Sequence, residues 1–307
     1  MGTEKKGPLL VLLSYVIWGA LPMFWKLLQG VEPFYLLASR IVWSMVFLGV
    51  LIALTGRGGM LREVLRSRHQ MGRLLLSGLF ITANWGVFVI LVNSNRILEN
   101  SLGNYMVPLF SIVLGFCIFR ERLEPLQWGA VALAAVGVVI VVAHYHRVPW
   151  LALIAGITFP AYSAVKKSVH CDGIVSVFCE TLWMLVPALG YLIWAESQGR
   201  GAIGNLSGWE LLLLPLSGVA TSVPLWIFSK GMNYGTPMTV AGMIMFVSPT
   251  MQFVEGLLIY REAFDPVYGV LFGFVWTGII LFFICTIRQH RRFFAHSPHG
   301  HNGDSRA

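Results

Sequence analysis

Few ionisable side chains interrupt the long apolar runs of this 307-residue sequence, and any chemistry would sit on those few. Arg40, Glu180 and Glu255 fall inside such runs, and Lys26 closes the first one. A charge at the centre of a membrane helix costs about 2.5–3.5 kcal/mol by insertion measurements, so each needs a partner, a water-filled cavity or an escape to the interface. Arg40 and Lys26 have long stems. They either carry their charge to the headgroups or offer a cation to an anionic or zwitterionic solute. A glutamate is too short to escape that way. Glu255 lies six residues before Arg261, about 9 Å inside its helix at 1.5 Å per residue. Glu255 and Glu180 are therefore either protonated and hydrogen-bonded, or carboxyls that exchange a proton during a functional cycle.

Two further positions suit a cavity. Asn84-Trp85 lies in the middle of an apolar run, and Trp226 follows Trp85 by 141 residues, in the stretch Pro224-Leu225-Trp226. An amide beside an aromatic face fits a pocket that is mostly apolar with a few placed polar groups. The plain alternative for Asn84 is an interhelical hydrogen bond worth about 1 kcal/mol. No G-x-S-x-G, HExxH or P-loop is present, nor any His, Asp and Glu cluster with metal spacing. No catalytic or metal-binding residue and no cofactor is therefore assigned, and the chain reads as a non-enzyme. Cys117, Cys171, Cys179 and Cys285 have no zinc or redox spacing and read as small apolar packing residues.

The elements that must position these residues are membrane helices. With 56% hydrophobic and 12% charged residues and a mean hydropathy of +0.72, the sequence departs far from soluble chains, where about a quarter of residues are charged. A span needs about 20 mainly apolar residues. The chain offers about ten: 8–28, 35–54, 72–92, 102–119, 126–142, 150–165, 174–195, 211–229, 238–260 and 267–287. The first is too long for a signal-peptide core and ends without an A-x-A-like site, which favours its retention as a span. The formal net charge of +8 reports topology rather than a nucleic-acid partner. With ten spans, sixteen Lys and Arg fall on the side of the termini and five on the other, while Arg40 lies within a span. Both termini are accordingly expected in the cytoplasm.

The charged clause FRERLEP at 119–125 returns as YREAFDP at 260–266. The same offset of 141 aligns Pro108 with Pro249, Gly115 with Gly256, Arg120 with Arg261, Glu121 with Glu262, and Lys26 with Lys167. Such spread marks an internal duplication. Each copy holds five spans, an odd number, so the second enters the membrane from the opposite side. Inverted repeats are the build of carriers that bind a solute between two halves. Arg120, Glu121, Arg261 and Glu262 then read as hairpin turns on opposite faces. Lys26 and Lys167 place a cation near each mouth, or simply anchor two helix ends. Pro22, Pro160, Pro187, Pro215, Pro224 and Pro249 interrupt predicted helices, breaks that are tolerated where neighbours or water satisfy the freed carbonyls.

The stretch NWGVFVILVNSNRILENSLGNYMVPLFSIVLGFCIFRERLEPLQWGAVALAAVGV resembles the RarD branch of the EamA-type drug/metabolite transporter superfamily, as do LPMFWKLL, SRIVWS, FPAYSAVKK, ETLWMLVPALGYL, GVATSVPLWIFSKG and SPTMQFVEGLLIYREAFDP. The resemblance covers residues 8 to 287. It implies a ten-helix bacterial inner-membrane carrier in which four helices of each repeat surround the path and the fifth is peripheral. By position it carries Lys26, Arg40, Asn84, Trp85 and Glu180 into the site. Where relatives have aromatic and amide residues, this chain has Asn104 and Met245, which points to a different cargo if those positions line the cavity. Glu255 is not a feature of the branch.

The expected fold is thus an all-α polytopic membrane protein with two inverted five-helix repeats. They span residues 1–146 and 147–288, followed by a disordered cytoplasmic tail at 289–307. The expected function is secondary transport of a small metabolite, such as an amino acid, another zwitterion or an organic anion, by alternating access. Proton-coupled efflux of lipophilic drugs and a non-transporting membrane sensor remain as alternatives. Substrate, bilayer and a second copy of the chain in a homodimer are the expected partners.

Overall fold

The computed structural model describes residues 6–93, 97–144, 150–259 and 266–295. Among these residues all regular structure is helical. The helices are α1 (Lys6–Lys26), α2 (Pro33–Leu54), α3 (Gly58–Arg66), α4 (Arg68–Asn93), α5 (Ile97–Phe119), α6 (Pro125–His144), α7 (Trp150–Ser168), α8 (Gly173–Ser197), α9 (Gly208–Asn233), α10 (Met238–Met245), α11 (Val247–Leu258) and α12 (Pro266–Ala295). Six of them, α1, α2, α4, α6, α8 and α9, are long and apolar enough to cross a bilayer. Shorter apolar stretches occupy Gly103–Phe119 and Gly269–Phe282. Large apolar side chains such as Leu54, Val139 and Ile193 are exposed along these helices, as a lipid-facing surface requires. The chain is a multi-pass membrane protein.

Three local differences from the sequence expectation have physical causes. The run 238–260 is not one helix: it breaks at Phe246, whose amide reaches Met243 O at only 3.4 Å. Pro249 lacks the N–H that Met245 O would accept, and its ring crowds that carbonyl. The arginine-rich segment after α2 contains the short helix α3, which buries Val64 and packs Leu61 against the main core. Finally, α12 runs on to Ala295, so residues 289–295, expected in a disordered tail, are helical.

The helices form two compact units, and neither coincides with a sequence half. One holds α1–α5 with α7–α11, the other α6 with α12. In the first unit α1 packs on α9 and α11, α7 on α4 and α5, α2 on α8 and α9, and α10 on α5. In the second, α6 and α12 pack on each other. Lipid offers no hydrophobic drive for helices to associate, so close backbone approach at small residues does much of the work. Gly218 shows this most sharply: a Cβ there would collide with the Trp43 carbonyl carbon, and Ser44 Oγ donates to Gly218 O at 3.1 Å. The α2–α9 crossing is thereby brought close enough for side chains of both helices to meet.

Helix starts are capped by carboxylates. Glu32 accepts the Phe34 and Tyr35 amides of α2 at 3.1 and 2.6 Å, and Asp172 accepts the Ile174 amide of α8 at 3.0 Å. Tyr191 donates to Glu32 at 3.0 Å and Tyr35 to Glu196 at 2.6 Å, joining the first turns of α2 to the last turns of α8.

Candidate functional site

Arg40, in the second turn of α2, lies in a cage of aromatic rings. Its guanidinium carbon is 4.3 Å from the Trp25 ring centroid and 5.0 Å from that of Trp85, and Nε donates to Thr221 Oγ1 at 2.9 Å. Trp25 comes from α1, Trp85 from α4 and Thr221 from α9. Thr221 in turn donates to Ser217 O at 2.8 Å, which leaves its oxygen facing the guanidinium as an acceptor. Among the described residues no carboxylate oxygen lies within 4.0 Å of Arg40. The side chain is half-buried. A guanidinium has five N–H donors in a planar fork, and neutral rings on its flanks leave that fork to another ligand.

The second polar centre pairs Lys166 of α7 with Glu180 of α8 at 2.7 Å, with side-chain exposures of 0% and 3%. Ser77 of α4 donates to Glu180 Oε1 at 2.7 Å, and Lys166 Nζ donates to Ser176 Oγ at 2.5 Å. Glu180, expected as a cavity or proton-coupling residue, is here paired with Lys166, which the sequence reading did not single out. A cluster of aromatic rings adjoins the Lys166 centre through Tyr162, whose ring is 5.6 Å from Lys166 Nζ. Trp18 meets Phe159 at 5.8 Å, and the Phe228 ring lies 6.1 Å from Tyr15 and 6.2 Å from Tyr162. Three positions of α4, Ser77, Ile81 and Trp85, recur every four residues on one helix face, so α4 touches both centres.

Other expected site residues have different surroundings. Asn84 donates to Ala155 O at 2.9 Å and Thr158 Oγ1 at 3.2 Å on α7, which is the interhelical role. Trp226 is half-buried and packs on Gly173 at the start of α8. Asn104 is half-buried on α5, and Lys26 is exposed at the end of α1. Glu255 is 6% exposed, and its Oε2 has no hydrogen-bond partner among the described residues.

The turn residues do more than connect. Arg120 takes a φ of 52°, the left-handed conformation that commonly closes a helix. It aims Glu121 back into the fold, where the carboxylate accepts Lys167 Nζ at 2.5 Å and the Met238 and Thr239 amides at 2.7 and 2.8 Å. Pro237 leaves α10 without a side-chain cap of its own, so Glu121 caps it from a distance and ties it to α7. Lys167 is therefore committed to this clasp. Arg261 and Glu262 lie outside the described residues.

Burial alone would raise the Glu121 carboxyl. The hydrogen bonds from Lys167 and the two amides outweigh it and hold the group below the usual carboxylate range. A depressed pKa contributes stability above the unfolded value, about 4.3 for Glu, and that stability is lost as the pH falls through the folded value. Glu121→Gln is expected to cost about 1–2 kcal/mol at neutral pH. Thermal unfolding of both proteins at a series of pH values checks this: the difference should hold from pH 7 through 5 and shrink in stronger acid.

Comparison with known proteins places this geometry in context. The profile of the EamA-like transporter family matches residues 5–143. Protein RarD of Streptomyces exfoliatus is 33% identical over 94% of this chain and 91% of its own length. Protein RarD of Escherichia coli K12 is 30% identical, covering 94% and 97% respectively. A Bacillus subtilis protein named as the uncharacterized transporter YojE is 33% identical, covering 95% and 98%. One solved crystal structure shares the fold with a TM-score of 0.68 at 16% identity, over 93% of this chain and 99% of its own.

Proposed function

Since the chain belongs to the RarD proteins of the EamA-like transporter family, we propose that it carries a small organic anion or zwitterion across the bacterial inner membrane by alternating access. The anionic group of the solute binds Arg40. The observation that carries this reading is a half-buried guanidinium, between Trp25 and Trp85, with no carboxylate partner among the described residues. Arg is the side chain best suited to grip a carboxylate by two parallel hydrogen bonds while stacking on aromatic faces. Two tryptophans suit an apolar or aromatic remainder of the solute. Efflux of lipophilic cations fits less well, because Glu180 is already engaged by Lys166.

Alternating access follows from the duplication. The sequence offset of 141 pairs Pro108 of α5 with Pro249 of α11, and Gly115 with Gly256. The principal packing pairs, α1 with α9, α4 with α7, α2 with α8 and α6 with α12, each join one half to the other. Trp18 and Phe159, also 141 apart, touch, which is what a pair beside a pseudo-two-fold axis does. With five spans in each copy, that axis lies in the membrane plane.

The inversion has a direct test. Gln29 and its mate His170 are both exposed. In a background with the four cysteines replaced, Gln29→Cys in intact cells should react with an impermeant thiol reagent and His170→Cys should react only after permeabilisation. Equal labelling of both would remove the inverted topology and the cytoplasmic termini with it.

A further inference from the structure

The Lys166 centre holds more hydrogen-bonding capacity than its own residues use. Tyr15, Tyr162 and Ser229 are 5%, 0% and 1% exposed, and none of their hydroxyls has a hydrogen-bond partner among the described residues. An unpaired buried hydroxyl costs about 1–3 kcal/mol, so three of them in one core is an arrangement that asks for a ligand. Tyr162 is beside the lysine, with Lys166 Nζ 5.6 Å from its ring, and the Tyr162 and Tyr15 rings both flank Phe228. A carboxylate has about four acceptor sites, enough to take an ammonium and hydroxyl donors together.

This centre also lies along α4 from the Arg40 cage. Ser77, beside Glu180, and Trp85, beside Arg40, are eight residues apart on that helix. Eight residues is about 12 Å of helix. We infer that Lys166 is a second anion station for the transported solute, and that Glu180 is its internal stand-in: it neutralises Lys166 in the empty carrier and is displaced by the solute's carboxylate. The inference rests on the anion-carrier reading and adds where the anion goes after Arg40. Its logic is charge balance. An empty carrier that closed over a bare ammonium would bury an uncompensated charge at a cost of several kcal/mol. When the solute's carboxylate takes the ammonium, the displaced Glu180 carboxyl takes up a proton from water and keeps its hydrogen bond with Ser77, so neither state buries an uncompensated charge. Serine hydroxyls, rather than further charges, hold Glu180, which leaves the exchange close to balanced.

Benzoate binding to the full chain in nanodiscs, measured by calorimetry, tests this, with benzamide as the neutral control. Glu180→Ala removes the competitor and should bind benzoate about tenfold tighter than the parent, ~1.4 kcal/mol, with no gain for benzamide. Adding Lys166→Met should erase that gain. Adding Arg40→Ala instead should leave it in place, so the station can stand or fall apart from the Arg40 site. If Glu180→Ala does not survive purification, its rescue by benzoate but not benzamide would equally support the station. Absence of any gain or rescue, or a gain that persists with Lys166→Met, would overturn it.

Discussion

Arg40→Ala is expected to lower carrier-mediated exchange of carboxylate solutes about a hundredfold, ~2.7 kcal/mol, while the folded yield changes little. The guanidinium rests on two tryptophan rings and one threonine oxygen. Its removal forfeits cation–π contacts of about 0.5–2 kcal/mol each, which a helical bundle of this size tolerates. What it removes from the bound solute is larger, because truncating one partner of a buried, hydrogen-bonded charge pair costs about 2–5 kcal/mol. Arg40→Lys should recover only part of the rate. An ammonium keeps the charge but has neither the planar fork for a bidentate carboxylate nor the flat face that stacks between Trp25 and Trp85. Initial rates of exchange in vesicles, normalised to reconstituted protein, read both effects. A lysine variant as active as the parent would show that only charge matters at this position.

The second large effect is on stability. Lys166→Met leaves the Glu180 carboxylate without its cation, and breaking one partner of a buried pair typically costs about 3–5 kcal/mol. Lys166→Met with Glu180→Leu removes both charges and should regain most of that loss, since apolar replacements of a buried pair are often neutral. Thermal unfolding of the three proteins in nanodiscs distinguishes the cases. If the double variant is no better than the single one, the pair is held by something other than mutual neutralisation. If the double variant is stable, its transport rate isolates the functional share of the two residues from the structural one.

The parts legible in the sequence were those set by composition and by residues close together along a helix. Apolar length announces the long spans, and proline announces helix starts at α6 and α12. Arg40 and Trp85 stand out because a charge and a large aromatic in apolar runs need a reason, and the two do meet. Lys166 was hidden by its neighbour. Adjacent residues on a helix face directions about 100° apart, so of Lys166 and Lys167 only one could enter the core, and the repeat offset drew attention to Lys167. The legible signal was helical phase: Tyr162 lies one turn before Lys166, on the same buried face. Glu121 was readable as a turn but not as a clasp. Its partners lie 46, 117 and 118 residues away, and two of them are backbone amides, which have no residue identity to read. The break at Phe246 was foreshadowed by Pro249, though whether such a proline kinks a helix or divides it depends on what packs beside it, here α1 and α5.

Whether an anionic solute passes through the Arg40 site is decided by counterflow. Vesicles containing the purified chain are loaded with a panel of small carboxylates and amino acids, diluted into a trace of the same labelled solute, and followed in time. A transient accumulation of label is expected for at least one anion or zwitterion, lost with Arg40→Ala. Folded protein that passes none of them, or exchange unaffected by Arg40→Ala, would contradict it.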